Sequence, residues 1–303
     1  MEQDQELQRL LNELKQDTGI TFAVTGECED GREETIAQLR KLVKSYRTGN
    51  NREYFLQRVL NGEVVSSRLY QDAKRFHINA GDLFRVFYIE LCQEYDIDVQ
   101  AILKSLFYPQ TGIFVIPMSS SQFVILKAVG KRNSDADAAK IAYMILDMLN
   151  TEAMLDARVA YGTAAGQLEF LQDSYREARL AMEIGHIFYV RERVFAYDRL
   201  GIGRLIYELP VSVCKAYVKE VFGDNIPESL DLETLTTINT FFDNGLNISE
   251  TARNLYVHRN TLVYRLEKLQ KTIGLDIRNF EDAMTYKIVV MAVDYIRYME
   301  KRK

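Results

Sequence analysis

Residues 248–266 have the sequence Ile248-Ser-Glu-Thr-Ala-Arg-Asn-Leu-Tyr-Val-His-Arg-Asn-Thr-Leu-Val-Tyr-Arg-Leu266. Their apolar positions recur at helical spacing on both sides of a short break, which predicts two helices joined by a sharp turn. Ser249 is a suitable N-cap for the first helix, because its hydroxyl can accept a hydrogen bond from a free backbone N–H. The pattern predicts a helix-turn-helix from about Asn247 to Lys271. Its buried side chains are expected to be Ile248, Ala252, Leu255, Leu262, Leu266, Leu269 and Ile273.

Polar side chains remain on the outer face of this helix pair. Most of them fall in the first two turns of the second helix, the part of a recognition helix that enters the major groove. The alternative is a structural helical hairpin with a solvent-facing surface. Such surfaces usually mix Glu with Lys, whereas no Glu occurs between Arg253 and Arg265. We therefore predict DNA binding, through phosphates and base edges, by Ser249, His258, Arg259, Asn260, Thr261, Tyr264 and Arg265.

The run Thr251–Leu266 closely resembles the C-terminal helix-turn-helix of the purine-catabolism and sugar-diacid regulators (PucR/CdaR type). Every position of that family's pattern A-x-x-L-x-V-H-R-N-T-L-x-Y-R-L is filled. The helix pair is also similar to that of Fis-type DNA-binding proteins. The resemblance implies that His258 begins the recognition helix and that Arg259 reaches bases. It also implies that Thr261, Tyr264 and Arg265 contact the DNA backbone.

The middle of the chain is rich in β-branched and aromatic residues, a composition that favours buried strands. We predict strands at 83–91, 113–116, 123–126, 158–162 and 194–197, with helices at 135–149 and 174–185 between them. Val159–Gly162 and Asp173–Gly185 resemble a degenerate GGDEF-like domain, which is found before this type of helix-turn-helix. This alternation of strands and helices predicts one α/β domain.

The sequence of the hairpin between the second and third strands indicates whether this domain could be an active diguanylate cyclase. An active GGDEF domain carries two glycines for close phosphate approach and carboxylates for metal at this point. Here the residues are Ser119-Ser-Ser-Gln-Phe123, so only the Phe is kept. Without carboxylates there is nothing to hold Mg²⁺ against a triphosphate. We therefore expect no enzymatic activity, no catalytic residues, no metal and no cofactor.

Domain organisation follows from these assignments. We predict an α+β multidomain protein with a mostly helical N-terminal region at residues 1–75. A degenerate GGDEF-like α/β domain follows at 76–205, and an all-α helix-turn-helix domain occupies 230–303. Ile20–Val24 is predicted as a short strand within the helical region.

Composition limits the class of protein. The formal net charge of −5 and the 47% hydrophobic content are those of an ordinary globular protein. The three cysteines are widely spaced, which argues against a metal site or a disulfide framework. The acidic N-terminus is unlike a signal peptide and no run of 18 apolar residues occurs. We expect a cytoplasmic protein with no membrane partner.

The expected partners are double-stranded DNA, a small-molecule effector and a second copy of the chain. The predicted function is sequence-specific transcription regulation in response to a small metabolite. The alternative is an architectural or interaction protein that binds DNA through the same helix-turn-helix without an effector. A homodimer or larger homo-oligomer is expected because one helix-turn-helix makes few base contacts. Two apolar stripes are candidate interfaces: Leu7, Leu10, Leu11 and Leu14 near the N-terminus, and Met284, Ile288, Met291, Tyr295 and Tyr298 on the last helix. The second stripe could instead cover the preceding helices.

Overall fold

A computed structural model describes residues 6–12, 35–40, 51–95, 97–130, 135–223 and 231–302. The predicted strand Ile20–Val24 lies outside these residues. The chain divides into two compact units. The first comprises Met1–Leu180 with Arg193–Tyr197, and the second comprises Ala181–Glu192 with Asp198–Lys303.

Helices precede the sheet in the first unit. Residues 6–12 (α1) and 35–40 (α2) are helical, and Leu10 and Ile36 are buried against each other. Helices α3 (Arg52–Leu60) and α4 (Ser66–Arg75) follow. The side chain of Asn51 caps α3 by accepting a hydrogen bond from the backbone N–H of Glu53 at 2.8 Å.

A five-stranded mixed sheet forms the centre of the first unit, with strand order β2-β3-β1-β4-β5. Antiparallel pairing joins β1 to both β3 and β4 and joins β2 to β3, whereas β4 and β5 are parallel. The strands lie where the residue pattern predicts them, within a few residues: β1 (Leu83–Leu91), β2 (Ile113–Pro117), β3 (Gln122–Val129), β4 (Ala157–Tyr161) and β5 (Val194–Ala196).

One face of the sheet packs against α5 (Val99–Ser105) and α6 (Asp135–Ala153). Apolar side chains of β1 and β3 alternate onto this face, including Phe87, Ile89 and Ile125. Helix α6 contributes a buried stripe at helical spacing, formed by Ala138, Ala142, Ile145 and Leu149. One layer of the core therefore lies between the sheet and these two helices, and side chains on the opposite face, such as Val86 and Val124, are also fully buried.

The residues that follow β4 pack directly against helix α7 (Leu171–Phe188) and form hydrogen bonds with it. A Cβ atom at Gly162 would lie 2.1 Å from the backbone oxygen of Ser174, so the two backbones touch at a residue without a side chain. The Ser174 hydroxyl donates to the Thr163 carbonyl at 2.7 Å. The Glu177 carboxylate accepts from the backbone N–H and the hydroxyl of Thr163, at 2.8 and 2.6 Å.

The described residues of the second unit are helical apart from their connecting segments. After the end of α7 come α8 (Gly201–Tyr207), α9 (Val211–Phe222), α10 (Leu232–Asp243), α11 (Ile248–Asn254), α12 (Arg259–Ile273) and α13 (Phe280–Lys301). The mixed sheet and the all-helical C-terminal part confirm the predicted α+β class. Across the described ranges, no helix combines the length and apolar character needed to span a membrane.

The apolar stripe of α13 packs inside the chain. Met291 and Tyr295 are buried in one cluster with Cys214 and Val218 of α9. Met284, the first residue of the predicted stripe, is 41% exposed and stands outside this cluster. Of the two alternatives for this stripe, the structure supports packing inside the chain. Met291 and Tyr295 cover α9, however, and not the three helices that directly precede α13.

Candidate DNA-binding surface

Helices α10, α11 and α12 enclose a common core with the start of α13. Phe241 of α10 and Leu262 of α12 are fully buried, and Ala252 of α11 is 4% exposed where the helices cross. The remaining buried members are Ile238, Leu266, Leu269, Ile273, Ile277, Ala283 and Tyr286. Leu255 and Val257 pack against this core while remaining partly exposed. The predicted helix-turn-helix core is therefore present.

Asn247, and not Ser249, is the N-cap of α11. Its side chain accepts hydrogen bonds from the backbone N–H groups of Ser249 and Glu250, at 3.0 and 3.1 Å. Ser249 is an exposed residue inside the first turn. The predicted capping role of Ser249 is wrong, because the chain turns into the helix two residues earlier, directly after Leu246 with its left-handed φ of 64°.

The turn between α11 and α12 is closed by backbone hydrogen bonds. The N–H of Val257 donates to the Ala252 carbonyl at 3.0 Å, and that of Tyr256 donates to the Arg253 carbonyl at 3.1 Å. This pair of bonds is the Schellman arrangement, which requires a left-handed residue after the C-cap. Tyr256 fills that position with φ of 55°, and its side chain is 96% exposed. Tyr256 was not among the predicted site residues, because a left-handed position favours Gly or Asn and residue type therefore gives no signal for a tyrosine here.

His258 is the N-cap of helix α12. Its Nδ1 accepts a hydrogen bond from the backbone N–H of Asn260 at 3.3 Å. An imidazole whose Nδ1 accepts a hydrogen bond carries its hydrogen on Nε2, so the exposed side chain of His258 offers a donor at Nε2. The cap fixes the direction in which α12 begins after the loop that joins it to α11. His258 thus lies at the start of the second helix of the pair, where the sequence places it, and its role in DNA contact stays a prediction.

The first two turns of α12 present polar side chains to solvent. Arg259, Asn260 and Thr261 are exposed, and Tyr264 is 68% exposed one turn later. No acidic residue lies in the first turn. Lys268 and Lys271 extend the exposed basic surface along the helix. These groups offer hydrogen-bond donors on one exposed stretch of helix, as readout of base edges and phosphates requires.

Arg265 is placed differently from its predicted neighbours. Its side chain is 29% exposed, and its guanidinium forms an ion pair with the Glu233 carboxylate of α10. It also lies 3.5 Å from the hydroxyl of Thr237. A cleft of about 400 Å³ between α10 and α12 contains this contact, with Asp231 and Lys268 also on its walls. Arg265 thus contributes to packing within the domain.

The hairpin between β2 and β3 is built from backbone pairing and serine side chains. The N–H of Met118 donates to the Gln122 carbonyl at 2.8 Å, and the Ser119 hydroxyl accepts from the backbone N–H of Ser121 at 3.3 Å. Phe123 is 4% exposed and packs in the core, as predicted. Among the residues that the structure describes, no group of three or more His, Cys, Asp or Glu side chains is arranged to hold a metal ion.

Comparison with known proteins relates both regions to described families. Residues 234–292 match the family described as the PucR C-terminal helix-turn-helix domain, and residues 61–184 match the GGDEF-like domain family. The chain is 26% identical over 160 residues to the purine catabolism regulatory protein of Bacillus subtilis, covering 52% of this chain and 30% of the relative.

Two further relatives match longer segments. The carbohydrate diacid regulator of Escherichia coli is 24% identical over 196 residues, which is 62% of this chain and 49% of the relative. The DNA-binding transcriptional activator AdeR of Bacillus subtilis is 21% identical over 267 residues, which is 82% of this chain and 60% of the relative. The chain therefore spans less than two thirds of the length of each of these relatives.

Proposed function

We propose that this chain is a sequence-specific DNA-binding transcription regulator. It carries a PucR-type C-terminal helix-turn-helix domain and a GGDEF-like domain, and it is distantly homologous to the purine catabolism and carbohydrate diacid regulators. The observation that carries the proposal is the exposed polar half of α12, which begins at the His258 cap and has no acidic residue in its first turn. A helix of this kind fits the major groove with its N-terminal end first.

The proposed contact set assigns a role to each exposed group. Arg259 and Asn260 carry the side chains that pair with guanine and adenine edges. Ser249, Thr261 and Tyr264 offer hydroxyls to phosphates, and His258 offers its outward Nε2. Arg265 acts mainly by holding α12 against α10, since its guanidinium is engaged by Glu233.

DNA binding in a salt series tests the proposal directly. Fluorescence anisotropy would compare a duplex from the upstream region of the chain's own coding sequence with a scrambled duplex of equal length and composition. We expect tighter binding to the upstream duplex. The affinity should fall steeply as the salt concentration rises, because the release of counterions into a more concentrated solution is less favourable. Equal affinity for both duplexes would contradict sequence-specific regulation. Repetition with candidate metabolites separates an effector-dependent regulator from an effector-independent architectural protein.

The GGDEF-like domain is proposed to act without catalysis, as a sensor of a small metabolite or as a scaffold for one. Its hairpin presents three serines and a glutamine where metal-binding carboxylates would be needed. Incubation of the purified chain with GTP and Mg²⁺ is expected to yield no cyclic dinucleotide by chromatography. Turnover above a protein-free blank would overturn this part of the proposal.

The proposed working unit is a cytoplasmic homodimer that places two recognition helices on DNA. Half-sites of helix-turn-helix dimers are separated by about 34–36 Å, one turn of B-DNA. We propose the division into an N-terminal region (1–75), a GGDEF-like domain (76–205) and a DNA-binding domain (230–303) as its functional organisation.

A further inference from the structure

The outer face of helix α6 carries exposed apolar side chains between two opposite charges. Tyr143 is 61% exposed and Met144 is 49% exposed. Lys140 precedes them by about one turn, and Asp147 follows them by about one turn, both on the exposed side of the helix. We call these four residues the α6 outer face. Large apolar side chains at the centre of a polar rim are typical of protein interfaces.

A groove runs alongside this face. It has a volume of about 770 Å³ and lies between α6 and the segment that leads into β4. Tyr143, Met144 and Leu155 contribute apolar lining, while Asp156 and Arg193 form an ion pair of 2.9 Å at its side. The groove gives side chains from a partner helix a place to insert beside the α6 outer face.

The charge order of the face is self-complementary. Lys140 and Asp147 are seven residues apart, about 10.5 Å along the helix axis, and the midpoint between them falls between Tyr143 and Met144. If a second α6 is laid antiparallel with a twofold axis through that midpoint, each Lys140 faces an Asp147 and each Tyr143 faces a Met144. A twofold interface requires a patch that complements itself in this way.

Among the described residues, each of the two interfaces suggested by sequence is packed at least in part within the chain; Leu14 of the first stripe lies outside those residues. Met291 and Tyr295 of the α13 stripe are buried against α9. Leu10 of α1 is 7% exposed and packs with Ile36 of α2. The α6 outer face, in contrast, keeps its apolar residues exposed. Among the residues that the structure describes, Lys140 makes a long contact of 3.9 Å with Asp137 on its own helix, and its side chain is 75% exposed.

We propose that the chain forms a twofold homodimer through the α6 outer face, with Lys140 of each copy paired to Asp147 of the other and the Tyr143 and Met144 side chains at the centre. The purpose of such a dimer, to deliver two recognition helices to paired half-sites, rests on the proposed DNA-binding function. The interface itself does not, because it lies in the GGDEF-like region and can be measured without DNA.

Charge reversal tests the pairing in the full-length chain by sedimentation equilibrium. Lys140→Asp alone and Asp147→Lys alone each place like charges opposite one another twice, so the dimer dissociation constant should rise about 10- to 100-fold. The double variant Lys140→Asp/Asp147→Lys restores opposite charges across the twofold axis. Its dissociation constant should return to within about threefold of the wild-type value, a threefold change being under 1 kcal/mol.

The apolar centre is tested separately. Tyr143→Asp should weaken the dimer, whereas Tyr108→Asp, at a tyrosine that is 86% exposed in the segment after α5, should leave it unchanged. Thermal melts identify any variant that fails to fold. A wild-type chain that remains monomeric at about 100 µM, roughly the upper range of a weak specific association, would overturn the proposal. Dimers insensitive to both single charge reversals, or not restored by the double variant, would overturn it equally. Loss of DNA binding with an intact dimer would instead count against the proposed function alone.

Discussion

The guanidinium of Arg265 on the recognition helix pairs with the Glu233 carboxylate in the first turn of α10 and approaches the Thr237 hydroxyl one turn later. An arginine in a DNA-reading helix would ordinarily be assigned to phosphate. Here its position is set by a carboxylate of its own domain, because Glu233 and Arg265 lie on facing sides of the α10–α12 cleft. The contact adds a polar link between α10 and α12 at the edge of their shared core.

Replacing Arg265 with Ala should therefore affect stability more than DNA electrostatics. We expect a loss of about 1 kcal/mol in the free energy of unfolding, from a partly exposed ion pair and the packing of the arginine stem. The slope of log K against log salt should stay unchanged. Lys268→Ala, an exposed cation three residues further along α12, is the matched variant and should reduce that slope by about 1. If Arg265→Ala reduces the salt slope of DNA binding and leaves the melting temperature unchanged, Arg265 contacts phosphate directly.

Arg259→Ala tests base readout. Arg259 is exposed in the first turn of α12, directly after the His258 cap. If it pairs with a base edge, its loss should cost about 1–3 kcal/mol at the specific site and relax sequence preference at that position. Binding titrations on the upstream and scrambled duplexes measure both effects. An equal loss of affinity on the two duplexes would mean that Arg259 contacts phosphate.

Tyr256→Gly should change stability and DNA binding in opposite directions. A left-handed backbone costs a residue with a Cβ about 1–2 kcal/mol, partly offset by the larger backbone entropy of glycine, so the variant should melt higher. DNA affinity should fall several-fold, because an exposed tyrosine beside the recognition helix is lost. His77→Gly is the control: His77 has φ of 56° and ends α4 in the same hydrogen-bond arrangement, far along the sequence from α12. It should raise stability and leave DNA binding unchanged. Wild-type DNA affinity of Tyr256→Gly would remove Tyr256 from the interface.

Asp294 on α13 should make the free energy of unfolding of the C-terminal unit depend on pH. Burial raises the pKa of its carboxyl above the usual value, and the charge of Arg297 only partly opposes that shift. The native state thus holds this proton more tightly than the unfolded chain, so stability falls as the pH rises through the raised pKa. Asp294→Asn should melt higher than wild type at pH 7. The difference should vanish as the pH falls toward about 4, the value for Asp in an unfolded chain.

A second aspartate, whose pKa is shifted in the opposite direction, is the control. Hydrogen bonds from Thr234 lower the pKa of Asp231, the N-cap of α10. Its contribution to stability is present at pH 7 and is lost as the pH falls through the lowered pKa. Asp231→Asn should therefore give no gain at pH 7. A higher melting temperature for both variants would indicate a general effect of net charge in place of the burial of Asp294.

The strands and the helix-turn-helix could be predicted because their signals are local. The β-branched and aromatic run Leu83–Leu91 becomes β1 with those bounds. Helices α5, α8 and α9 were not predicted. Two of them have seven residues each, too few for a periodic pattern to stand out. The buried face of α9 becomes meaningful only when its partner on α13 is known, since Cys214 and Val218 pack there.

The site shows the same division between local and distant causes. His258 at the start of α12 followed from the family pattern, and the core residues followed from spacing. The choice of N-cap did not, because Asn247 and Ser249 are both good capping residues and only the backbone direction after Leu246 selects one. The ion pair of Arg265 joins residues 32 positions apart, a tertiary contact for which neither residue type nor spacing gives a signal.

The contact between Gly162 and Ser174 has a mechanical consequence. Backbone in direct contact has no side chain to rotate or compress, and three hydrogen bonds between Thr163 and α7 surround that contact. Sliding between the end of β4 and the first turns of α7 is therefore blocked at this point. The end of β4 and the first turns of α7 can move apart only if these hydrogen bonds break, so the two segments should open together in hydrogen exchange.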